Sequence, residues 1–166
     1  MSRPKRVHVP NAVYHVTQRS TDREVFFVDD DDFAAFHELL GLAVRRARWN
    51  LHAFCLMTNH VHLLIQTPEP TLPRGMQFLM GEYVEGFNER HGRRGALVQG
   101  RYKSLLVETE RHYLECVRYI AWNPVHAGLC ERPEDWPWGS WGASPLASLA
   151  PPIDTLLSGD LGIVLA

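Results

Sequence analysis

Cysteine is scarce: Cys55, Cys116 and Cys130 are the only three, and none stands in a C-x-x-C spacing. That count argues against both a disulfide framework and a zinc ribbon, and it fits reduced thiols serving as small buried hydrophobes in a cytoplasmic protein. Long apolar runs are missing too. No window approaches the roughly 18 apolar residues of a membrane span. The basic start MSRPKRVHVP has neither an apolar stretch nor a small-residue cleavage site behind it, so neither membrane insertion nor export is expected. Internal repeats and low-complexity tracts are absent. Lysine is nearly so, with 2 against 15 arginines. Arginine's planar fork suits phosphate oxygens and base stacking. With 166 residues, 45% of them hydrophobic and 22% charged, the chain has the means for one domain around a single core.

The formal net charge of −2 hides a segregation of sign. Residues 1–21 carry Arg3, Lys5, Arg6 and Arg19 with no acid, and residues 90–107 carry Arg90, Arg93, Arg94, Arg101 and Lys103 with no acid. Two such stretches can neutralise phosphates on a slightly acidic protein, because a polyanion responds to the local field. Two solvated loops would give the same count.

Periodicity and punctuation order the elements. Ala12 to Arg19 alternates as a strand. Asp29 to Asp32 suit a helix N-terminus, and Phe33, Phe36, Leu40, Ala43 and Ala47 then fall on one helical face up to about Trp49. Leu51–Met57 and Val61–Gln66, joined through Thr58 and Asn59, read as a hairpin. A second amphipathic helix follows through Met76, Met80, Tyr83, Val84 and Phe87, then a Gly- and Arg-rich loop, a short strand near Ser104–Val107, and a third helix from about Thr109 that must end by Pro124. Strand, helix, two strands, helix, strand, helix is the order of an α+β layer: a mostly antiparallel sheet with helices on one face and the other face free for chemistry.

Two places carry chemistry. In Asn59-His60-Val61-His62, strand alternation turns His60 and His62 to one side and Val61 to the other, so two imidazoles can grip one metal; ordinary strand histidines would show the same pattern. In the third helix, at about 100° per residue, His112, Glu115 and Asn123 lie within about 40° of Tyr119, while Leu114, Val117 and Ala121 lie opposite. Tyr119 is thus off the apolar stripe, and the Asn123 amide oxygen, one turn on, could serve a hard metal beside the phenol. A tyrosine hydroxyl is a poor nucleophile unless its proton leaves and its electrophile is polarised, as a divalent ion can do for a phosphate. Two imidazoles, one oxygen and open water positions suit Mg2+ or Mn2+, though zinc also binds imidazole.

The ordered set MTNHVHLLIQTPEP, RGMQFLMGEYVEGFNERHG, QGRYKSLLVE, YLECVRYIAWNPVHAGL and DWPWGSW resembles the REP-associated tyrosine transposases of the single-tyrosine HUH superfamily, an IS200-like group, over residues 7–143. The resemblance implies a ferredoxin-like antiparallel sheet, a metal held by His60 and His62, Tyr119 as nucleophile, and Asn123 completing the metal site where the best-known insertion-sequence members have glutamine. It implies cleavage and joining of single-stranded, hairpin-forming DNA through a 5′-phosphotyrosine. A hairpin-binding regulator without turnover and a nuclease that uses water are the competing activities. The domain would span 1–145, with 146–166 a tail of no assigned role. Arg3, Lys5, Arg6, Arg19, Arg90, Arg93, Arg94, Arg101, Tyr102 and Lys103 are the candidates for holding DNA. The protein would be a monomer or a homodimer, with the tyrosine helix serving its own histidines or a partner's. Trp136, Trp138 and Trp141 would pack the tail onto the domain or stack on unpaired bases.

Overall fold

In the computed structural model, residues 9–21 and 25–142 are described. They form β1 (Ala12–Arg19), α1 (Asp30–Ala47), β2 (Asn50–Met57), β3 (His60–Thr67), α2 (Leu72–Arg90), β4 (Lys103–Val107) and α3 (Glu110–His126), with a short 3-10 turn at Pro133–Asp135. Arg3, Lys5, Arg6 and the tail from 146 lie outside the described residues. The four strands make one antiparallel sheet in the order β2-β3-β1-β4, the arrangement of a split βαβ pair.

Local chemistry explains the element ends. The Asp29 side chain caps α1 by accepting from the Asp32 amide at 3.0 Å, and Asp30, Asp31 and Asp32 complement the positive end of the helix dipole. Thr109 caps α3 in the same way through the His112 amide. Pro124 does not end α3, contrary to expectation. The helix runs two residues past it to His126 and stops where Gly128, at φ +71, takes the left-handed conformation that lets the Leu129 amide reach the Pro124 carbonyl at 2.9 Å.

Strand alternation divides the core into two layers. Tyr14, Val16, Phe54, Leu56, Val61, Leu63 and Ile65 face α1 and α2 in the larger cluster. Val13, Ala53, Cys55, Met57, Leu64 and Val107 face the other way, onto Tyr113, Cys116, Val117 and Ile120 of α3. The sheet is as expected, but the helices are not all on one face: α3 covers part of the second face. An amphipathic stripe demands burial without saying on which side of the sheet it is found. Each large apolar side chain so buried contributes about 1.5–3 kcal/mol before entropy is set against it. Close packing fixes α2 as well, since a Cβ on Gly75 would meet the Trp49 ring.

The tryptophans choose packing over an open platform. Trp138 stacks on Phe33 at 4.8 Å between ring centroids, Trp136 Nε1 donates to the Leu56 carbonyl, and Trp141 packs partly buried against the smaller cluster. Cys55 and Cys116 are buried as expected, while Cys130 is only half-buried. No helix among the described residues is long and apolar enough to cross a membrane.

Candidate active site

Two adjacent strands and one helix build the site. In the antiparallel register of β1 and β3, Thr17 lies opposite His62 and Arg19 opposite His60, and alternation turns all four toward the α3 side. α3 is held over this face by its apolar stripe and by a buried hydrogen bond of 3.0 Å between His52 Nδ1 and the Tyr113 hydroxyl. Tyr119 and Asn123 therefore arrive at the histidines from above.

The distances are short within this single chain. The His60 and His62 rings are 4.8 Å apart between centroids and nearly perpendicular, and the Tyr119 ring stands edge-on to His62 at 5.3 Å. Asn123 Nδ2 donates to His62 Nε2 at 3.3 Å. Half of the Tyr119 surface is exposed (50%), so the phenol is open to a polymer arriving from solvent. Sequence reasoning missed two contributors: His15, whose Nε2 lies 3.0 Å from His62 Nδ1, and Thr17, whose Oγ1 lies 3.3 Å from the same nitrogen. The strand alternation already placed both on one face, but their partner is some 45 residues away in sequence, and only sheet register brings it across.

The donor set fits a divalent ion. His60 Nδ1 is engaged with Asn59 Oδ1 at 2.6 Å and His62 Nδ1 with His15 and Thr17, which leaves the two Nε2 atoms as the candidate donors, that of the buried His62 turned to Asn123 on α3. Burial pushes the imidazoles down, to about 4 for His60 and about 3 for His62, so both rings are neutral and able to ligate at ordinary pH. The Arg19 charge adds to this at His60, and His60, His15 and Arg19 add to it at His62. Turning the Asn123 amide over presents its oxygen where the nitrogen now lies. Another group of metal-binding type, Asp29, Asp32 and His91, is taken up structurally: the fully buried Asp32 carboxylate accepts from Arg90 at 2.6 Å and contacts His91 at 2.9 Å.

The expected basic stripe is broken by the fold. Arg90, its side chain 36% exposed, pairs its charge with the buried Asp32 carboxylate, and Tyr102 is only 9% exposed and packs in the larger cluster, so each of the two also has a structural role. Arg93 packs over the Phe87 ring at 5.6 Å. Arg19, Arg94, Arg101 and Lys103 remain exposed. Lys103 pairs with Thr17 in the β1–β4 register and so borders the histidines on the side of the sheet opposite β3. Arg101 lines a groove of about 760 Å3 between α2 and residues 98–102, walled by Met76, Met80, Val84 and Tyr102.

Comparison with known proteins bears on the family and the fold. A family model described as "Transposase IS200 like" matches residues 8–123, a span that contains His15, His60, His62, Tyr119 and Asn123. A Haemophilus influenzae protein named as a REP-associated tyrosine transposase is 26% identical over 110 residues, covering 60% of this chain and 62% of that relative's length. The chain thus spans less than two thirds of the curated relative it matches. The solved structure of a REP-associated tyrosine transposase bound to a REP hairpin superposes with a TM-score of 0.74 at 17% identity, covering 91% of this chain and 89% of the other. A Deinococcus radiodurans crystal structure described as a transposase gives 0.50 at 22% identity, covering 72% and 95%. At these identities the two structures establish the fold, and the family match, extending over more than half of the sequence, establishes that this chain belongs to the IS200-like transposases.

Proposed function

We propose that this protein cleaves and rejoins single-stranded, hairpin-forming DNA, with Tyr119 as nucleophile and His60, His62 and Asn123 as ligands of Mg2+ or Mn2+. The observation that carries this reading is the convergence of an exposed phenol, 5.3 Å between ring centroids from His62, with two neutral imidazoles whose Nδ1 atoms are engaged elsewhere and with the Asn123 amide 3.3 Å from His62 Nε2. Because one chain carries all of these groups, a site assembled within a monomer is the simplest arrangement. The hairpin is inferred from the structural relative, which was solved bound to one.

The step balances without an external energy source. Tyr119 Oη attacks the phosphorus, its proton passes to solvent, and the bond from phosphorus to the 3′ oxygen breaks, leaving a protonated 3′-hydroxyl and a 5′-phosphotyrosine. A diester is exchanged for a diester, so a second 3′-hydroxyl can reverse the step. A divalent ion, when bound, withdraws charge from the phosphate. The protein's own part is orientation: β3 fixes the two imidazoles, and α3 presents the exposed phenol beside them. Arg19 and Lys103 border the histidines and would receive the phosphates on either side of the scissile bond.

The test is to incubate the protein with a labelled hairpin oligonucleotide and Mn2+ and to run a denaturing gel. A covalent, protease-sensitive band is expected, and EDTA or Tyr119→Phe should abolish it while native-gel binding persists. Free fragments without an adduct would mean that water is the nucleophile. A native-gel shift with neither product would mean a binding protein without turnover.

A further inference from the structure

His15 takes no part in the chemistry proposed so far, yet it is tied more closely to His62 than any other side chain. Its Nε2 lies 3.0 Å from His62 Nδ1. Its Nδ1 lies 4.0 Å from Cys116 Sγ on α3, and its ring stands 5.9 Å from that of Tyr119. One residue of β1 thus touches the candidate ligand on β3 and the helix that carries the nucleophile.

Two ring nitrogens at that separation share one hydrogen, so one donates and the other accepts. If His15 donated, His62 would carry its hydrogen on Nε2, the atom that faces Asn123, and could not ligate there. If His62 Nδ1–H donates to His15, the Nε2 lone pair is free. The second alternative agrees with the surroundings. In the orientation observed, Asn123 Nδ2 donates across 3.3 Å to His62 Nε2, which then offers a lone pair; with the amide turned over, a metal held between Oδ1 and Nε2 needs that same lone pair. His15, accepting at Nε2, carries its own hydrogen on Nδ1, directed at the Cys116 sulfur, a weak acceptor.

We infer that His15 is a positioning residue that accepts the Nδ1 hydrogen of His62 and so holds that ring in the one tautomer and orientation whose Nε2 lone pair can bind a metal. The inference rests on the reading of His62 as a ligand, because a ring that binds nothing needs no fixed tautomer. Thr17, 3.3 Å from the same nitrogen, narrows the ring's freedom further. Such outer partners of a ligating histidine typically matter about 10–100-fold in metal affinity.

Two measurements on the full chain test it. Long-range 15N NMR of the metal-free protein reads the tautomer directly, and His62 is expected as Nδ1–H. A wild-type His62 found as Nε2–H overturns the inference without any variant. The second measurement is Mn2+ affinity by electron paramagnetic resonance. His15→Leu, which fills space without an acceptor, should bind Mn2+ about 10–100-fold more weakly and lose the fixed tautomer. In His15→Gln, the side-chain oxygen can stand where Nε2 stood, so most of the affinity and the Nδ1–H form should return. Equal Mn2+ affinity in the Leu, Gln and wild-type proteins overturns the inference. If the wild type binds no Mn2+, the ligand reading falls instead, and the tautomer measurement still decides what His15 does.

Discussion

Asn123 is the candidate ligand whose chemistry can be varied most finely. Its amide sits one turn beyond Tyr119 and already reaches the His62 ring. Asn123→Ala should lower covalent adduct formation by about tenfold or more, through loss of one oxygen donor, whereas Asn123→Gln should retain most of it. Adduct yield against Mn2+ concentration checks this, and the Ala defect should shrink as Mn2+ rises. His60 and His62 stood out in the sequence because both lie on one strand two residues apart. Tyr119 stood out because helical phase sets it off the apolar stripe. His15 did not, since a lone histidine on a strand declares nothing until register supplies its partner. The structural roles of Arg90 and Tyr102 went unread for a related reason. Charge counting cannot see that a buried carboxylate some 58 residues away consumes Arg90, or that a tyrosine flanked by Arg101 and Lys103 turns inward.

Among the elements, α1 and α2 are joined at their ends by the Asp32–Arg90 pair, and α3 is set by its stop signal. Burial alone raises the Asp32 carboxyl, but the Val28 amide, His91 and Arg90 outweigh it and hold the group below the ordinary carboxylate range. A carboxyl depressed in the folded state contributes stability above its unfolded pKa of about 3.9, and that contribution fades as pH falls through the lower folded value. Asp32→Ala should therefore cost about 2 kcal/mol at neutral pH, a figure reduced because Arg90 is partly in water. By calorimetry that is a Tm lower by about 4–8 °C, with the gap between variant and wild type narrowing below about pH 4. Gly128→Ala should cost about 1 kcal/mol of stability, because a Cβ there meets nothing and only the left-handed backbone objects. Strand and helix boundaries were readable within a few residues from alternation and caps. The Pro124 stop was not, because a proline marks the loss of one amide donor while Gly128 marks the actual reversal of the chain. Nor does an amphipathic stripe reveal which face of a sheet it will cover.

For the molecule as a whole, the nearly balanced charge conceals a positive border around the histidines, made by Arg19 and Lys103, with Arg101 and Arg94 exposed beyond it. If these groups hold phosphates, single-stranded DNA affinity should fall with salt, and each contact removed should reduce the log–log slope by about 0.7. Lys103→Ala and Arg101→Ala should each show that change at unaltered Tm, whereas Arg90→Ala should lower Tm and leave the slope as it was. Titrations by fluorescence anisotropy at several salt concentrations separate the two behaviours. The central claim is a chemical bond between DNA and one side chain, and mass spectrometry of the digested reaction mixture tests it most directly. The predicted result is a nucleotide attached to the peptide that contains Tyr119, formed with Mn2+ and absent from the His60→Ala, His62→Ala double variant. Cleaved hairpin with no modified Tyr119 peptide, or an adduct that survives Tyr119→Phe, would contradict it.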